Sequence, residues 1–153
     1  MGDPATEVTL REVTVDTVDE ILRLKVAPHQ EMFVATNAKS IAQAHFHPEI
    51  AWFRAIYAGE TPVGFVMLSD NADEPEYFLW RLMIDERFQG RGYGSRTIEL
   101  MIAHVRTRPG ATALLTSAFS GPGSAIPFYE KLGFVLTGEV DPDDGELVMR
   151  YDL

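Results

Sequence analysis

Apolar and polar positions change their spacing along this chain, and each spacing predicts an element. Val8–Val13, "VTLREV", alternates the two types, as a strand with one buried face does. Asp16 then predicts a helix N-cap, with Val18, Ile21 and Leu22 on one apolar face. Residues 27–37 lack a clear period and include Pro28; a short helix is expected from about Ala38 to Phe46, closed by Pro48. Two β-rich runs follow, "IAWFRAIYA" and "TPVGFVMLS", and the "GE" between them marks a hairpin. An acidic loop, "DNADEPE", leads to the strand Tyr77–Ile84, "YFLWRLMI". After Gly92, Ile98, Met101, Ile102 and Val105 recur at helical spacing up to "RPG". "TALLTSAF" predicts a buried strand. "GSAIPFYEKLGF" predicts a short helix, with Ala125, Phe128, Tyr129 and Leu132 on one face and Gly133 as its C-terminal stop. "FVLTGEV" and "ELVMRYDL" around the turn "DPDDG" predict a closing hairpin. The order β-α-α-β-β-β-α-β-α-β-β implies an α+β (mixed α/β) fold, with a central sheet and helices on its faces. No repeat or linker divides it, so residues 1–153 are expected to form a single domain.

Composition narrows the function classes. Apolar residues make up 46% and charged residues 24%, the balance of a globular protein. No apolar run reaches the roughly 20 residues that span a bilayer, and no basic-then-apolar leader opens the chain. The expected location is therefore the cytoplasm, with no membrane partner. "MGDPAT" fits the N-myristoylation pattern formally, a match short enough to arise by chance. Without cysteine, disulfides, thiolate metal sites and a cysteine nucleophile are excluded. His45-x-His47 lacks a third placed ligand, so no metal is expected. The net charge of −10 argues against nucleic acid, which needs a basic face; it would attract a cationic small molecule but serves solubility equally well. The positive charge is uneven: six of the 13 basic residues, Arg81, Arg87, Arg91, Arg96, Arg106 and Arg108, crowd the central segment. That crowding suggests an anionic ligand there.

Within it lies "IDERFQGRGYGSR", Ile84–Arg96, at a strand-to-helix junction. Glycine lacks a Cβ, so Gly90, Gly92 and Gly94 let the backbone turn sharply and approach a ligand closely. The first amides of the following helix have no intrahelical acceptor and lie at the positive end of its dipole. Together these make a cradle for a pyrophosphate, to which Arg87, Arg91 and Arg96 add charge. The phosphate loop of nucleotide hydrolases is excluded because its lysine is missing. The dinucleotide fingerprint is excluded by spacing and by position after the fourth strand. Glycines alone would serve equally as a tight turn.

Gln-x-x-Gly-x-Gly after "MIDERF", with "IPFYEKLGF" further on, resembles the GNAT superfamily of N-acetyltransferases. The element order agrees over nearly the whole chain. Within that superfamily, "HQEMFVATNAKSIAQA" and "RLMIDERFQGRGYGS" are similar to the bacterial spermine/spermidine (diamine) acetyltransferases. The resemblance implies a GNAT-like acyl-CoA N-acyltransferase fold, with a mostly antiparallel sheet splayed between strands 4 and 5 and helices on both faces. It implies acetyl-CoA as cofactor. The backbone of Leu82, Met83 and Ile84 would pair with the pantetheine arm. Amides of Gln89, Gly90, Arg91, Gly92, Tyr93, Gly94 and Ser95 would hold the pyrophosphate. A homodimer is expected only by this resemblance.

Acetyl transfer requires a deprotonated amine, a polarised thioester and a protonated leaving thiolate. Periodicity alone makes Tyr129 a core residue of its helix. The resemblance makes it the general acid, since a tyrosine stays protonated at neutral pH. No general base is identifiable; Glu31, Glu76, His29 and His45 remain candidates. Polyamine enzymes of this family tend to carry an acid in the fourth strand where this chain has Trp80, followed by Arg81. Trp80 reads either as a cation–π platform or as a buried strand residue. Many relatives place an asparagine where Pro122 falls; the segment reads either as backbone amides of Gly123 and Ser124 substituting for it or as a plain helix-entry turn. Gln30, Phe33 and Asn37 lie in the region that forms the acceptor wall in this family. The expected acceptor is a small amine, a diamine or polyamine such as spermidine. Alternatives are a protein, a peptide or an aminoglycoside as acceptor, or a non-catalytic acyl-CoA-binding module.

Overall fold

The computed structural model describes residues 6–153, so the N-terminal acylation pattern lies mostly outside the described residues. Seven strands form one sheet in the order β1-β2-β3-β4-β5-β7-β6. They are β1 Val8–Arg11, β2 Ala51–Ala58, β3 Thr61–Asn71, β4 Glu76–Ile84, β5 Ala113–Ala118, β6 Val135–Val140 and β7 Leu147–Asp152. Neighbouring strands are antiparallel except β4 and β5, which run parallel. Among the described residues there are four α-helices: α1 Val18–Arg23, α2 Asn37–Phe46, α3 Tyr93–Arg106 and α4 Ile126–Lys131. The element order is the one the spacing predicts, with short 3-10 turns added at Pro28–Gln30 and Glu86–Phe88. No described helix is long and apolar enough to cross a membrane.

Two apolar layers sandwich the sheet. On one face, Ile98, Met101, Ile102 and Val105 of α3 and Ile126 and Tyr129 of α4 pack on Ile56, Val66, Leu68, Leu79 and Met149. On the other, Ile21 of α1 and Ala44 of α2 pack on Ala55, Tyr57, Phe65 and Met67. Both sheet faces are therefore buried near the middle strands, which explains why β3 reads as a continuous apolar run rather than an alternating one.

One prediction at a helix start is corrected. The N-cap of α1 is Thr17, not Asp16. Thr17 Oγ1 accepts from the Thr14 amide at 3.0 Å, and that turn, not an aspartate cap, sets where the helix begins.

The feature that shapes the site is a bulge in β4. Met67 pairs with Arg81 and Leu68 with Leu79, which leaves Trp80 without a partner on β3. Because side chains alternate strictly along a strand, one extra residue inverts everything after it. Leu79 therefore belongs to the α3–α4 layer, Trp80 and Met83 to the α1–α2 layer, and Leu82 and Ile84 to the α3–α4 layer again. The bulge also bends the strand. β4 and β5 share a single register pair, Phe78 with Leu115, after which they part.

Candidate active site

Where β4 and β5 part, a cavity of about 760 Å³ opens. Thr116 Oγ1 donates to Leu79 O at 3.3 Å near the start of the split. Past that point the Leu82–Ile84 edge of β4 has no β5 partner and lines the cavity. Gly90, Gly92, Tyr93, Gly94 and Ser95 continue the same wall.

The glycine turn has the geometry of an open cradle. Gly90 and Gly92 take left-handed φ of 76° and 84°, and a Cβ at either would meet nothing within 4 Å. Gly92 is the N-cap of α3, and no side chain caps that helix. Arg96 is the first residue whose amide reaches back into it, donating to Gly92 O at 3.0 Å. The amides before it are left for a ligand. Gly94 serves packing instead: a Cβ there would stand 3.4 Å from the Phe128 ring. Gln89 pins the loop, donating to Ile84 O at 2.9 Å and to Gln30 Oε1 at 2.8 Å.

Most of the arginines do not face the cradle, which corrects the reading of them as its charge. Arg87 pairs with buried Asp85 at 2.8 Å, Arg96 with Glu99 at 2.8 Å and Arg108 with Asp70 at 3.0 Å. Arg91 is exposed and lies outside the cavity wall, with its guanidinium 5.7 Å over the Phe88 ring. Arg87 and Arg96 are thus held in local ion pairs.

Tyr129 reaches the cavity from α4 while remaining 7% exposed. Burial pushes its phenol up to about 12, the Glu146 charge adds to the rise, and a Thr116 hydrogen bond works against it. The phenol is thus protonated throughout the neutral range. Its ring meets that of Phe134 edge to face, with centroids 5.4 Å apart, and the residue also lines the cavity.

The opposite side of the gap holds residues the sequence does not single out. Leu147, Met149 and Tyr151 point to the α3–α4 layer, so alternation sends Glu146 to the other face. There Ser117 Oγ donates to Glu146 Oε2 at 3.3 Å. Burial pushes the Glu146 carboxyl up to about 7; Asp144 adds to the rise by hydrogen bond and charge, and Ser117 and Arg81 oppose it. Arg81 donates to Trp80 O at 3.0 Å and to Gln43 Oε1 at 2.9 Å, while its Nε is buried without a partner. Alternation with Leu147 and Met149 was readable, but which strand Glu146 faces depends on the β5–β7 pairing.

The remaining sequence candidates divide. Phe33 and Trp80 line the cavity, and Phe33 touches the Gly123 turn, where a Cβ would meet its ring at 3.3 Å. Gln30 lines it too, but its carboxamide oxygen accepts from Gln89 and from the Ala27 amide at 3.0 Å. Asn37 is corrected: it is 3% exposed, lies off the cavity wall and donates to Ile21 O at 2.9 Å. Ser124 is corrected as an amide donor, because its N–H already donates to Gly121 O at 3.1 Å and its hydroxyl caps Ile126. Gly123 lines the cavity. Of the candidate bases Glu31 reaches the cavity, whereas Glu76, His29 and His45 do not.

The sequence profile of the acetyltransferase (GNAT) family matches residues 18–134. The chain belongs to this family. Among curated proteins this GNAT chain is 30% identical to a spermine/spermidine N(1)-acetyltransferase of Bacillus subtilis, covering 95% of the chain and 99% of that relative. It is also 30% identical to the peptidyl-lysine N-acetyltransferase YjaB of Salmonella typhimurium, over 65% of the chain and 60% of YjaB. Solved structures agree on the fold. A Thermus thermophilus acetyltransferase superposes with a TM-score of 0.73 at 19% identity, covering 95% of this chain and 97% of that one. A Bacillus subtilis acetyltransferase in complex with CoA superposes with a TM-score of 0.64 at 17% identity, covering 97% and 99%. This GNAT chain is an acetyl-CoA-dependent N-acetyltransferase. Its uncapped α3 terminus, open glycine turn and unpaired β4 edge along one cavity fit that cofactor.

Proposed function

We propose that this GNAT enzyme acetylates a primary amine of a small cationic acceptor, a diamine or polyamine of the spermidine class. The observation that carries the reading is the single cavity crossing the β4–β5 gap, with an amide cradle on one wall and carboxylates on another. The similarity to a spermine/spermidine acetyltransferase over nearly the full chain supports the same acceptor class.

In this reading, acetyl-CoA supplies an activated acetyl group as a thioester. The amides from Gln89 to Ser95 hold its pyrophosphate, assisted by the positive end of α3. The backbone of Leu82, Met83 and Ile84 orients the pantetheine arm as an added strand would. Gly123 lets the neighbouring turn approach, and Phe33 and Trp80 shape the acceptor wall. Glu31, Asp144 and Glu146 attract the ammonium groups of the acceptor. Tyr129 holds its proton at the gap and gives it to the leaving sulfur.

Thiol release from acetyl-CoA, measured with spermidine, spermine, diamines, amino acids and lysine peptides, tests the reading. Turnover with polyamines or diamines well above that with peptides is expected. Preference for lysine peptides would assign the protein-acetylating role that YjaB carries, and would overturn the small-acceptor reading. CoA binding without turnover on any acceptor would leave a binding module.

A further inference from the structure

An alkyl amine of pKa about 10.4 is only ~1 part in a thousand neutral at pH 7, so transfer needs a group to take its proton. Three carboxylates line the cavity, from Glu31, Asp144 and Glu146. Glu31 and Asp144 are exposed, whereas Glu146 is half-buried. The backbone fixes Glu146 twice, its carbonyl accepting from Asp141 N at 2.8 Å and its amide donating to Asp144 Oδ1 at 2.9 Å. Ser117 fixes the carboxylate itself. Ser117 stands next to Thr116 on β5, and the two side chains leave the strand on opposite faces. Thr116 pairs with Met149, which packs in the same apolar layer as Tyr129. Tyr129 and Glu146 thus approach one gap from opposite faces of the sheet.

We infer that Glu146 is the proton acceptor for the attacking amine, working across the β4–β5 gap from the Tyr129 phenol. Asp144 is a positioning residue that tunes it. The inference rests on the proposed transfer to an amine. The ammonium gives one proton to the Glu146 carboxylate, and the freed nitrogen pair forms the N–C bond to the acetyl carbon while the C–S bond breaks. The departing sulfur takes the Tyr129 proton, and the phenolate regains one from the nitrogen, which becomes an amide. Glu146 returns its proton to water. One amide, one thiol and one released proton balance the transfer.

The groups facing Glu146 set the pH at which it works. Asp144 from its own turn raises its affinity for a proton, while Arg81 from β4 and Ser117 from β5 lower it. Tyr129 from α4 is neutral in this range. With Glu146 pushed up to about 7, it is a base matched to neutral pH.

The test uses the whole protein with spermidine and 1,4-diaminobutane as acceptors. Glu146→Gln should lower kcat/KM at pH 7.5 by about 10²–10⁴-fold and abolish the acid limb near pH 7, with CoA affinity unchanged by calorimetry. Asp144→Asn should move that limb to lower pH, which a merely structural role would not do. Carboxyl NMR of the free protein should show a group titrating near pH 7 that is missing from Glu146→Gln. Near-normal turnover of Glu146→Gln, an unmoved acid limb, or a Glu146 midpoint near the ordinary glutamate value would overturn the inference. If the wild type acetylates none of the amines, the proposed acceptor class fails, and the titration still decides the state of Glu146.

Discussion

In the proposed transfer Tyr129 carries two tasks, packing and proton donation. It belongs to the α3–α4 core and also lines the cavity. Tyr129→Phe removes the hydroxyl and leaves the packing, so kcat should fall about 10²–10⁴-fold while CoA affinity and thermal stability stay close to wild type. Steady-state kinetics beside CoA calorimetry make the separation; unchanged kcat would leave Tyr129 as core alone. Gly92 is a different kind of residue, because its constraint lies in the backbone. Its φ of 84° is left-handed and no neighbour lies within 4 Å of a Cβ placed there. Gly92→Val therefore costs about 1–2 kcal/mol of backbone strain rather than a clash. That strain falls on the residue starting α3, so CoA affinity should weaken at least tenfold in calorimetry. Undiminished affinity would make the loop a turn and nothing more.

At the scale of elements, β4 is the piece that builds the site. Its bulge at Trp80 turns Leu82 and Ile84 toward α3 and frees the edge that faces the cavity. β3 holds that edge in place through Gly64, where a Cβ would overlap the Met83 carbonyl and come within 2.9 Å of the Ile84 side chain. Gly64→Val should cost about 1–3 kcal/mol in denaturant unfolding, as overpacking does. Displacement of Met83 and Ile84 should weaken CoA binding in the same variant. Loss of stability with full CoA affinity would detach this edge from cofactor binding. Helix α3 contributes direction rather than charge, since Arg87 and Arg96 are tied up in ion pairs.

At the scale of the molecule, net charge and local charge act differently. The excess of 23 acidic over 13 basic residues draws cations toward the surface generally. Glu146 is a local exception, its carboxyl pushed to about 7 from an ordinary 4.5. A carboxyl raised on folding contributes stability fully below its unfolded value and loses it as pH rises through the folded one. Wild type should thus lose stability relative to Glu146→Gln between about pH 4.5 and 7, and the variant should be the more stable above pH 7. Unfolding midpoints at pH 5 and pH 8 check this; a constant difference would show that Glu146 is not perturbed. Stability given up there is what a base working at neutral pH requires.

The order of elements, the helix after Gly92 and the GNAT motifs were legible in the chain, because periodicity and glycine placement are local properties. The open glycine turn before α3 was legible for the same reason. The bulge at Trp80 was not, since an extra residue is defined only against the partner strand. Asn37 and Ser124 read as site residues from their neighbourhoods, yet their polar groups are spent on Ile21 and Gly121. The arginines read as a phosphate-binding cluster, but ion pairing with Asp70, Asp85 and Glu99 redirects three of them. Glu146 was one acid in an acidic stretch until the pairing of β5 with β7 set it beside Ser117. The chain by itself thus carries the family motifs, and the resemblance they support implies the cofactor class. The acceptor side of the cavity is assembled from β4, β5, the β6–β7 turn and the loop at Phe33, and residues so far apart in sequence acquire a common chemistry only through tertiary packing.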